Sequence, residues 1–222
     1  KVNANIGQPR VAYRQMVAKE GRAKTRVERQ LGGKDHFGEV HLCLTPLTEQ
    51  EVEDDQESIV WEGGEPPIAP EWKQAVQDTV ESSLSGGGDL GFPFIRVQAR
   101  ISLPPVTPET TEAGLAVAAR EAFDDAHQKA GDLLLEPLMQ FQVTTPEEYF
   151  GSIHQDLVRR RAQIESVDLI LDQRKITGKV PLAEVFGYTT GLRSLSQGRA
   201  GFSMEPIGFA PAPEEVAARF RF

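Results

Sequence analysis

The chain has 222 residues, of which 39% are hydrophobic and 26% charged, which is typical of a folded protein with one or two domains. Its net charge of −9, taken alone, argues against a nucleic-acid partner, because phosphate contacts require lysine and arginine. No stretch approaches the roughly 18 apolar residues of a membrane helix, and the N-terminus has no apolar signal-peptide core, so we expect no membrane partner. The sequence opens on Lys1 without a methionine, and we expect it to be a piece of a longer protein.

The charge is distributed unevenly along the chain. Residues 1–47 contain nine lysines and arginines against four acids, a net charge of +5, whereas residues 48–65 contain eight acids and no base. The overall charge therefore averages a basic surface with an acidic one. The single cysteine, Cys43, cannot form an internal disulfide, which favours a reducing, cytoplasmic setting. We expect Cys43 to be a buried, inert strand residue.

The first part of the chain predicts strands and two long helices. Apolar alternation and flanking glycines predict strands over 11–17, 24–30, 39–44 and 93–101, with a hairpin-like loop around Gly32-Gly33. The acidic and Gly/Pro-rich composition of 48–70 predicts an exposed loop. Apolar residues at three- and four-residue spacing predict helices that begin at Pro70 and at about Thr110, the second ending near Ala130 before Gly131.

A second block follows a domain boundary that we place near Gly131-Asp132, which divides the chain into 1–131 and 132–222. Its order is β-α-β-β-α-β, followed by a short final helix, and we expect Pro137 at a bulge or an edge. This order is that of a ferredoxin-like split βαβ unit. The predicted elements are strands at 133–143, 167–171, 175–181 and 200–206 and helices at 145–161, 185–195 and 214–220.

Five sequence blocks resemble elongation factor G. Val11-Ala12-Tyr13-Arg14 and Gln30-Leu31-Gly32-Gly33, with Gly38 and Val40, resemble the start of its domain IV. Blocks that resemble its domain V are Leu134 to Met139, Thr145 to Gly151, Leu157 to Arg161, and Val180 to Tyr188 continuing to Leu192-Arg193-Ser194 and Gln197-Gly198-Arg199. Each block alone is weak, but together, in family order over nearly the whole chain, they are specific.

The resemblance implies an α+β protein in which a ribosomal protein S5 domain 2-like α/β domain precedes a ferredoxin-like βαββαβ domain. It implies that domain IV reaches the decoding centre and helps move tRNA and mRNA. It implies that domain V lies near the stalk base and the sarcin–ricin loop of the ribosome. GTP and Mg²⁺ would belong to an upstream G domain of the parent GTPase, since this chain has no Gly-x-x-x-x-Gly-Lys-Ser/Thr phosphate loop. We expect a monomer in this part, without catalytic residues, cofactor or metal.

Two segments depart from the family pattern. The second domain IV tip loop of the family carries an Asp-Gly pair, a histidine and an acid-Ser-Ser-Glu run, whereas residues 102–110 read Ser-Leu-Pro-Pro-Val-Thr-Pro-Glu-Thr. The acidic insert at 49–65 is also unexpected. These departures leave open an alternative, a ribosome-associated regulatory, recycling or rescue paralogue that has lost normal translocation.

Candidate ribosome contacts come from three places. Glycines at a hairpin let a backbone approach RNA closely, although a plain solvated loop has the same composition. Three consecutive arginines late in a helix point about 100° apart, so at least one should face outwards, while others complement the helix dipole. A helix exit could form a contact surface or serve capping and packing. The candidates are Gly32, Gly33, Lys34, His36, Arg159, Arg160, Arg161, Tyr188, Arg193, Gln197 and Arg199.

Two other groups of residues are weaker candidates, one for a metal site and one for a catalytic site. Asp124, Asp125 and His127 on the second long helix could suggest a metal, but we interpret them as a solvated polar face because no further ligands are marked. His41 and Cys43 share a strand face but have no orienting group, so a free-standing enzyme is an unsupported third hypothesis.

Overall fold

In this computed structural model the described residues are 11–31, 33–53, 56–63 and 68–221, with the side chains of Leu31, Lys34 and Glu53 excepted. The chain forms two compact units. The larger unit comprises Arg14–Leu134 together with residues 212–221, and the smaller unit comprises Leu135–Pro211 together with residues 11–13. Among the described residues, no helix is long and apolar enough to cross a membrane.

The elements follow one another in this order: β1 (Arg14–Val17), β2 (Gly21–Leu31), β3 (Lys34–Pro46), α1 (Glu49–Glu53), β4 (Ile59–Trp61), α2 (Pro70–Gly86), β5 (Val97–Ser102), α3 (Glu112–Ala130), β6 (Asp132–Pro146), α4 (Glu147–Arg159), β7 (Gln163–Ile170), β8 (Gln173–Pro181), α5 (Tyr188–Leu195), β9 (Gly201–Pro211) and α6 (Glu214–Ala217). Two 3₁₀ turns, Leu182–Val185 and Ala218–Phe220, precede α5 and follow α6.

The larger unit packs two helices on one face of a four-stranded sheet. The sheet order is β2-β3-β5-β4, antiparallel except for the parallel β4–β5 pair. Val40, Leu42 and Leu44 of β3 are buried in a core shared with α2 and α3, as their alternation predicts. Thr111 caps α3 by accepting a hydrogen bond from the Gly114 N–H, and Gly131 ends the helix at a φ of 70°.

The prediction of a loop over 48–70 is wrong at two places. Thr48 and Glu51 form a capping box, in which the Glu51 carboxylate accepts from the Thr48 N–H at 2.8 Å and the Thr48 hydroxyl accepts from the Glu51 N–H at 3.3 Å, and α1 begins there. Ile59–Trp61 then pairs with β5 in parallel. A three-residue apolar run is too short for alternation to reveal it, so the pairing depends on the neighbouring strand.

The smaller unit has the βαββαβ order expected of a ferredoxin-like fold. Its sheet order is β9-β6-β8-β7, and all of these pairs are antiparallel. A register shift lies between Leu138 and Met139, next to Pro137. The helix predicted from 185 begins later, because Leu182–Val185 forms a 3₁₀ turn and Gly187 has a φ of 71° before Tyr188.

The final segment belongs to the larger unit. The Ala212 N–H donates to the Leu134 carbonyl at 2.9 Å, and the Phe220 ring meets the Phe92 ring edge-on at a centroid distance of 5.1 Å. The domain boundary near Gly131-Asp132 stays a prediction. The division into compact units differs from it, because residues 132–134 and 212–221 belong to the larger unit.

Candidate functional site

The β2–β3 hairpin carries the first candidate residues. Its strands pair without interruption from Gly21 opposite Leu44 to Leu31 opposite Lys34, which leaves a two-residue connection. Gly33 is exposed at a φ of 79°, a conformation that glycine adopts without strain. Gly32 and the Lys34 side chain lie outside the described part of the chain.

A glycine crossing fixes this hairpin against the start of α3. A Cβ added to Gly38 would lie 2.2 Å from the Gly114 carbonyl carbon, and one added to Gly114 would lie 2.2 Å from the Phe37 carbonyl oxygen. The Thr111 N–H also donates to the Phe37 carbonyl at 2.9 Å. The two backbones approach so closely that no side chain fits between them. This crossing therefore fixes the position of the hairpin relative to α3.

His36 is partly engaged by the same helix start. Its Nδ1 lies 3.1 Å from the Thr111 hydroxyl, which is the cap of α3, and the ring is half-buried. His36 also faces a cavity of about 460 Å³, and Arg29 beside it pairs with Glu121 of α3 at 2.6 Å. The residues lining this cavity are Glu28, Arg29, Gln30, Asp35, His36, Phe37 and Glu109.

The segment 103–109 lies beside the hairpin and carries no positive charge. Thr110 bridges to Phe37, and the Thr110 hydroxyl accepts from the Thr107 N–H at 3.0 Å, which closes a local turn. Val106 is 40% exposed. Residues 102–110 contain no lysine, arginine or histidine, so this loop cannot neutralise a phosphate.

The outer face of β2 presents cations that the sequence-based candidates do not include. Arg22, Lys24 and Arg26 are exposed and alternate with buried residues. Arg22 pairs with Glu20 at 2.7 Å, and Arg26 lies over the Phe37 ring at 4.8 Å. The Lys24 side chain is exposed and makes no hydrogen bond or ion pair within the described part of the chain. The alternation of charge with Ala23, Thr25 and Val27 was the signal in the sequence.

His41 and Cys43 do not form a catalytic pair. Cys43 is 6% exposed, as expected for a buried strand residue, and its sulfur accepts a hydrogen bond from Arg100 at 3.4 Å. His41 Nε2 instead lies 3.0 Å from a Glu39 carboxylate oxygen. The two side chains engage different partners, and a buried thiol of this kind is inert.

Two of the three consecutive arginines stabilise the smaller unit. Arg160 donates to Asp156 at 2.9 Å and to the Glu184 backbone carbonyl at 2.6 Å. Arg161, at a φ of 61°, pairs with Glu136, whose side chain is 3% exposed, and with Glu184 at 3.3 Å. Both guanidinium groups therefore hold the end of α4 against the 3₁₀ turn that precedes α5.

Arg159 is the outward member of the triplet. Its side chain is exposed, and among the described residues it makes no hydrogen bond or ion pair. The expectation that at least one of the three arginines faces outwards therefore holds for Arg159. Arg160, which follows the helix, is held inwards by Asp156 and the Glu184 carbonyl.

Tyr188 belongs to the core and not to a contact surface. Its side chain is fully buried, with the Phe202 ring edge-on at 4.8 Å and the Arg160 guanidinium over its ring at 5.0 Å. The Tyr188 hydroxyl has no hydrogen-bond partner among the described residues, and burial raises its pKa. The surface interpretation is corrected here because Tyr188 and Leu192, four residues apart, form the buried face of α5.

The remaining candidates surround the end of α5. Arg193 is exposed and, within the described part, has no side-chain hydrogen bond or ion pair. Its backbone carbonyl accepts from the Gly198 N–H at 2.8 Å, which ends the helix together with Gln197 at a φ of 51°. Arg199 is exposed but pairs with Glu148 and lies over the Tyr149 ring at 5.7 Å.

His127 is not on a solvated face, which corrects our interpretation of α3. Asp124 pairs with Arg120 at 3.3 Å, and Asp125 accepts from the Thr25 hydroxyl at 3.2 Å. His127 is only 4% exposed, with its ring against Phe94 and Phe123. It lies four residues after Phe123, so it shares the apolar side of the helix.

Comparisons with known proteins agree with this architecture. The family model described as elongation factor G, domain IV, matches residues 9–131, and that described as elongation factor G C-terminus matches residues 133–220. The chain is 38% identical over 221 residues to elongation factor G of Thermotoga maritima, which covers 98% of this chain and 31% of that protein. It is 38% identical over 227 residues to elongation factor G of Petrotoga mobilis, with 99% and 32% covered.

A solved structure shares the fold. A crystal structure of a protein from Thermus thermophilus superposes with a TM-score of 0.75 at 26% identity, covering 96% of this chain and 32% of that one. The chain therefore spans about a third of the length of the curated relatives it matches.

Proposed function

The chain belongs to the elongation factor G family, and from that premise we propose that it is the ribosome-binding module through which GTP hydrolysis in an upstream G domain drives movement of tRNA and mRNA. The observation that carries the proposal is the pair of family matches, which cover 9–131 and 133–220 in family order. These parts of the family lack the G domain, so this chain itself is not the GTPase. The family premise also supports a cytoplasmic location.

The hairpin of the larger unit suits the role of a lever. A contact made at the Gly33 turn is transmitted to α3 through the backbone crossing of Gly38 and Gly114, which leaves no side chain to give way. We propose that this tip approaches the decoding centre. Lys24, exposed on the outer face and free of a described partner, supplies a cation for a phosphate of tRNA, mRNA or ribosomal RNA.

The smaller unit supplies two further cations for ribosomal RNA near the stalk base and the sarcin–ricin loop. Arg159 and Arg193 are exposed, and each can contact a phosphate without breaking a described ion pair. Arg160, Arg161 and Arg199 already hold carboxylates, so a new contact there would compete with an existing one.

The experiment uses the complete factor that contains this chain. Co-sedimentation with ribosomes in the presence of a non-hydrolysable GTP analogue measures binding, and a translocation assay on the same sample measures movement of tRNA. We expect both binding and movement. A factor with neither ribosome binding nor ribosome-dependent GTP hydrolysis would contradict the proposal.

The loop at 102–110 favours a second candidate function. The loop has three prolines and lacks the Asp-Gly pair, the histidine and the Ser-Ser-Glu run of the family loop, so the contacts that those groups would make with the codon–anticodon region are lost. A regulatory, recycling or rescue factor would retain ribosome binding but not movement of tRNA. In the same experiment, binding without translocation selects this candidate, and efficient translocation removes it.

A further inference from the structure

A buried histidine and two aspartates converge at the end of α3 in the larger unit. His127 Nε2 lies 2.5 Å from Asp132 Oδ1, and both side chains are more than nine-tenths buried. Asp89, from the loop between α2 and β5, completes the group: one donor atom from each residue lies within 4.8 Å of the others. The cluster shares no residue with the candidate ribosome contacts.

The second carboxylate oxygen of Asp132 is buried without a partner. Oδ2 accepts no hydrogen bond from any described residue, and the ion pair of Asp132 with His127 is made through Oδ1. A buried acceptor without a donor is costly, because this oxygen loses its water and gains no hydrogen bond in return. This oxygen lies beside an imidazole and close to a second carboxylate, so it is available to a cation bound by the three side chains.

The loop backbone before Asp89 lies directly against the imidazole of His127. A Cβ on Gly88 would lie 2.3 Å from His127 Nε2, so only a glycine fits beside the ring. With the buried Gln15 amide turned so that its oxygen faces Gly88, which satisfies both of its ends, this oxygen accepts from the Gly88 N–H at 2.6 Å. The Gly91 N–H donates to the Gly88 carbonyl at 3.0 Å. The ring itself is held between Phe94 and Phe123.

We propose that Asp89, His127 and Asp132 form a binding site for a divalent transition metal ion, with zinc as the reference ion. One imidazole nitrogen and two carboxylates are a donor set that zinc, manganese and ferrous iron accept, whereas magnesium and calcium prefer oxygen alone. Metal–donor bonds of about 2.1 Å place two donor atoms of a tetrahedral site about 3.4 Å apart. On metal binding, His127 Nε2 and Asp132 Oδ1 must therefore move about 1 Å further apart, and the Asp89 carboxylate must move closer to both.

The charges around the site favour a dication. With the imidazole in the neutral form that a metal ion binds, the three side chains carry −2. A cavity of about 430 Å³ connects them to solvent past the exposed Asp89. Arg221 also lines this cavity, but its guanidinium is paired with Glu214. The ion would tie the end of α3, the loop before β5 and the first residue of β6 together, and water would complete its coordination.

The test measures zinc binding to the chelator-treated 222-residue chain by titration calorimetry and by thermal unfolding. We expect one zinc per chain and a rise in the unfolding temperature, since an ion that binds the folded state stabilises it. Asp89→Asn, an exposed change that leaves the fold intact, should weaken zinc affinity by at least about tenfold. Asp132→Asn tests the buried ligand in the same way.

Matched controls separate this site from adventitious binding. Asp124→Asn removes a carboxylate three residues from His127 on the same helix, and His154→Gln removes a histidine of the other unit; both should bind zinc as the parent does. Equal affinity in the parent and in Asp89→Asn, or loss of binding in His154→Gln, would overturn the proposal. Cobalt(II) absorption provides a second readout: bands typical of tetrahedral nitrogen and oxygen coordination should be present in the parent and lost in Asp89→Asn.

Discussion

The hairpin of the larger unit and the helix ends of the smaller unit position their candidate contacts in opposite ways. At the hairpin, backbone meets backbone at Gly38 and Gly114, and the side chains on the outer face are left exposed. At the helix ends, the side chains of Arg160 and Arg161 form ion pairs with Asp156 and Glu136, and Arg159 remains exposed without such a pair. Consecutive arginines in a sequence therefore predict RNA contacts only for those that have no carboxylate or carbonyl partner within the folded protein.

The largest expected effect comes from breaking the glycine crossing. Gly38→Ala places a Cβ within 2.2 Å of the Gly114 backbone, which cannot rotate away as a side chain could. We expect the free energy of unfolding to fall by about 3 kcal/mol, as in overpacked cores. Chemical denaturation measures this loss. Gly86→Ala, at the end of α2 with open space around it, is the control and should leave stability unchanged or slightly raised.

Arg161→Ala should lower the free energy of unfolding by about 2 kcal/mol, because it leaves the buried Glu136 carboxylate without its cation. The value is below that of a fully buried pair since Arg161 is 32% exposed. Arg159→Ala, two positions earlier, should change stability by less than about 0.5 kcal/mol. Denaturation midpoints of the two variants compare them directly, and equal losses would contradict the distinction between inward and outward arginines.

Tyr188→Phe should be neutral or stabilising by about 1 kcal/mol near pH 7, because it removes a buried hydroxyl that has no partner among the described residues. A loss of stability greater than about 1 kcal/mol would indicate that the hydroxyl is hydrogen-bonded in solution. The measurement is denaturation at pH 7, with the T-shaped contact to Phe202 retained in the variant.

The same substitution should flatten the alkaline limb of the stability profile. Burial raises the pKa of Tyr188 in the folded state, whereas an unfolded tyrosine titrates near a pKa of about 10. Above about pH 10 the unfolded chain loses a proton that the folded chain keeps, so stability falls as pH rises. Tyr188→Phe lacks this contribution, and identical slopes in parent and variant over that alkaline range would contradict the burial of Tyr188.

Local patterns predicted most of the fold, and tertiary contacts account for what they missed. Alternation placed Val40, Leu42 and Leu44 on the core face, and the ferredoxin-like order followed from element types alone. The strand at Ile59–Trp61 is too short to have a period of its own. The helix at Glu49–Glu53 did carry a sequence signal, the Thr48–Glu51 capping box, which the acidic composition obscured.

The candidate site was less predictable because side-chain partners lie far away in sequence. Nothing near Arg161 indicates Glu136, 25 residues earlier, and nothing near His127 on the helix indicates Asp89. The prediction of a surface position for Tyr188 is wrong, and its four-residue spacing to Leu192 is that of a buried stripe. The residue type shows whether a side chain can donate or accept a hydrogen bond, but which partner it finds depends on the assembled fold.

The most direct test compares ribosome binding by two double variants of the complete factor. Arg159→Ala with Arg193→Ala removes two exposed cations without described partners, and Arg174→Ala with Arg199→Ala removes the same charge from pairs with Glu147 and Glu148. Co-sedimentation over a range of salt concentrations should show weaker binding and a salt slope shallower by about 2 for the first variant, and near-parental binding for the second. Equal binding by both would contradict the assignment of Arg159 and Arg193 as the ribosome contacts of the smaller unit.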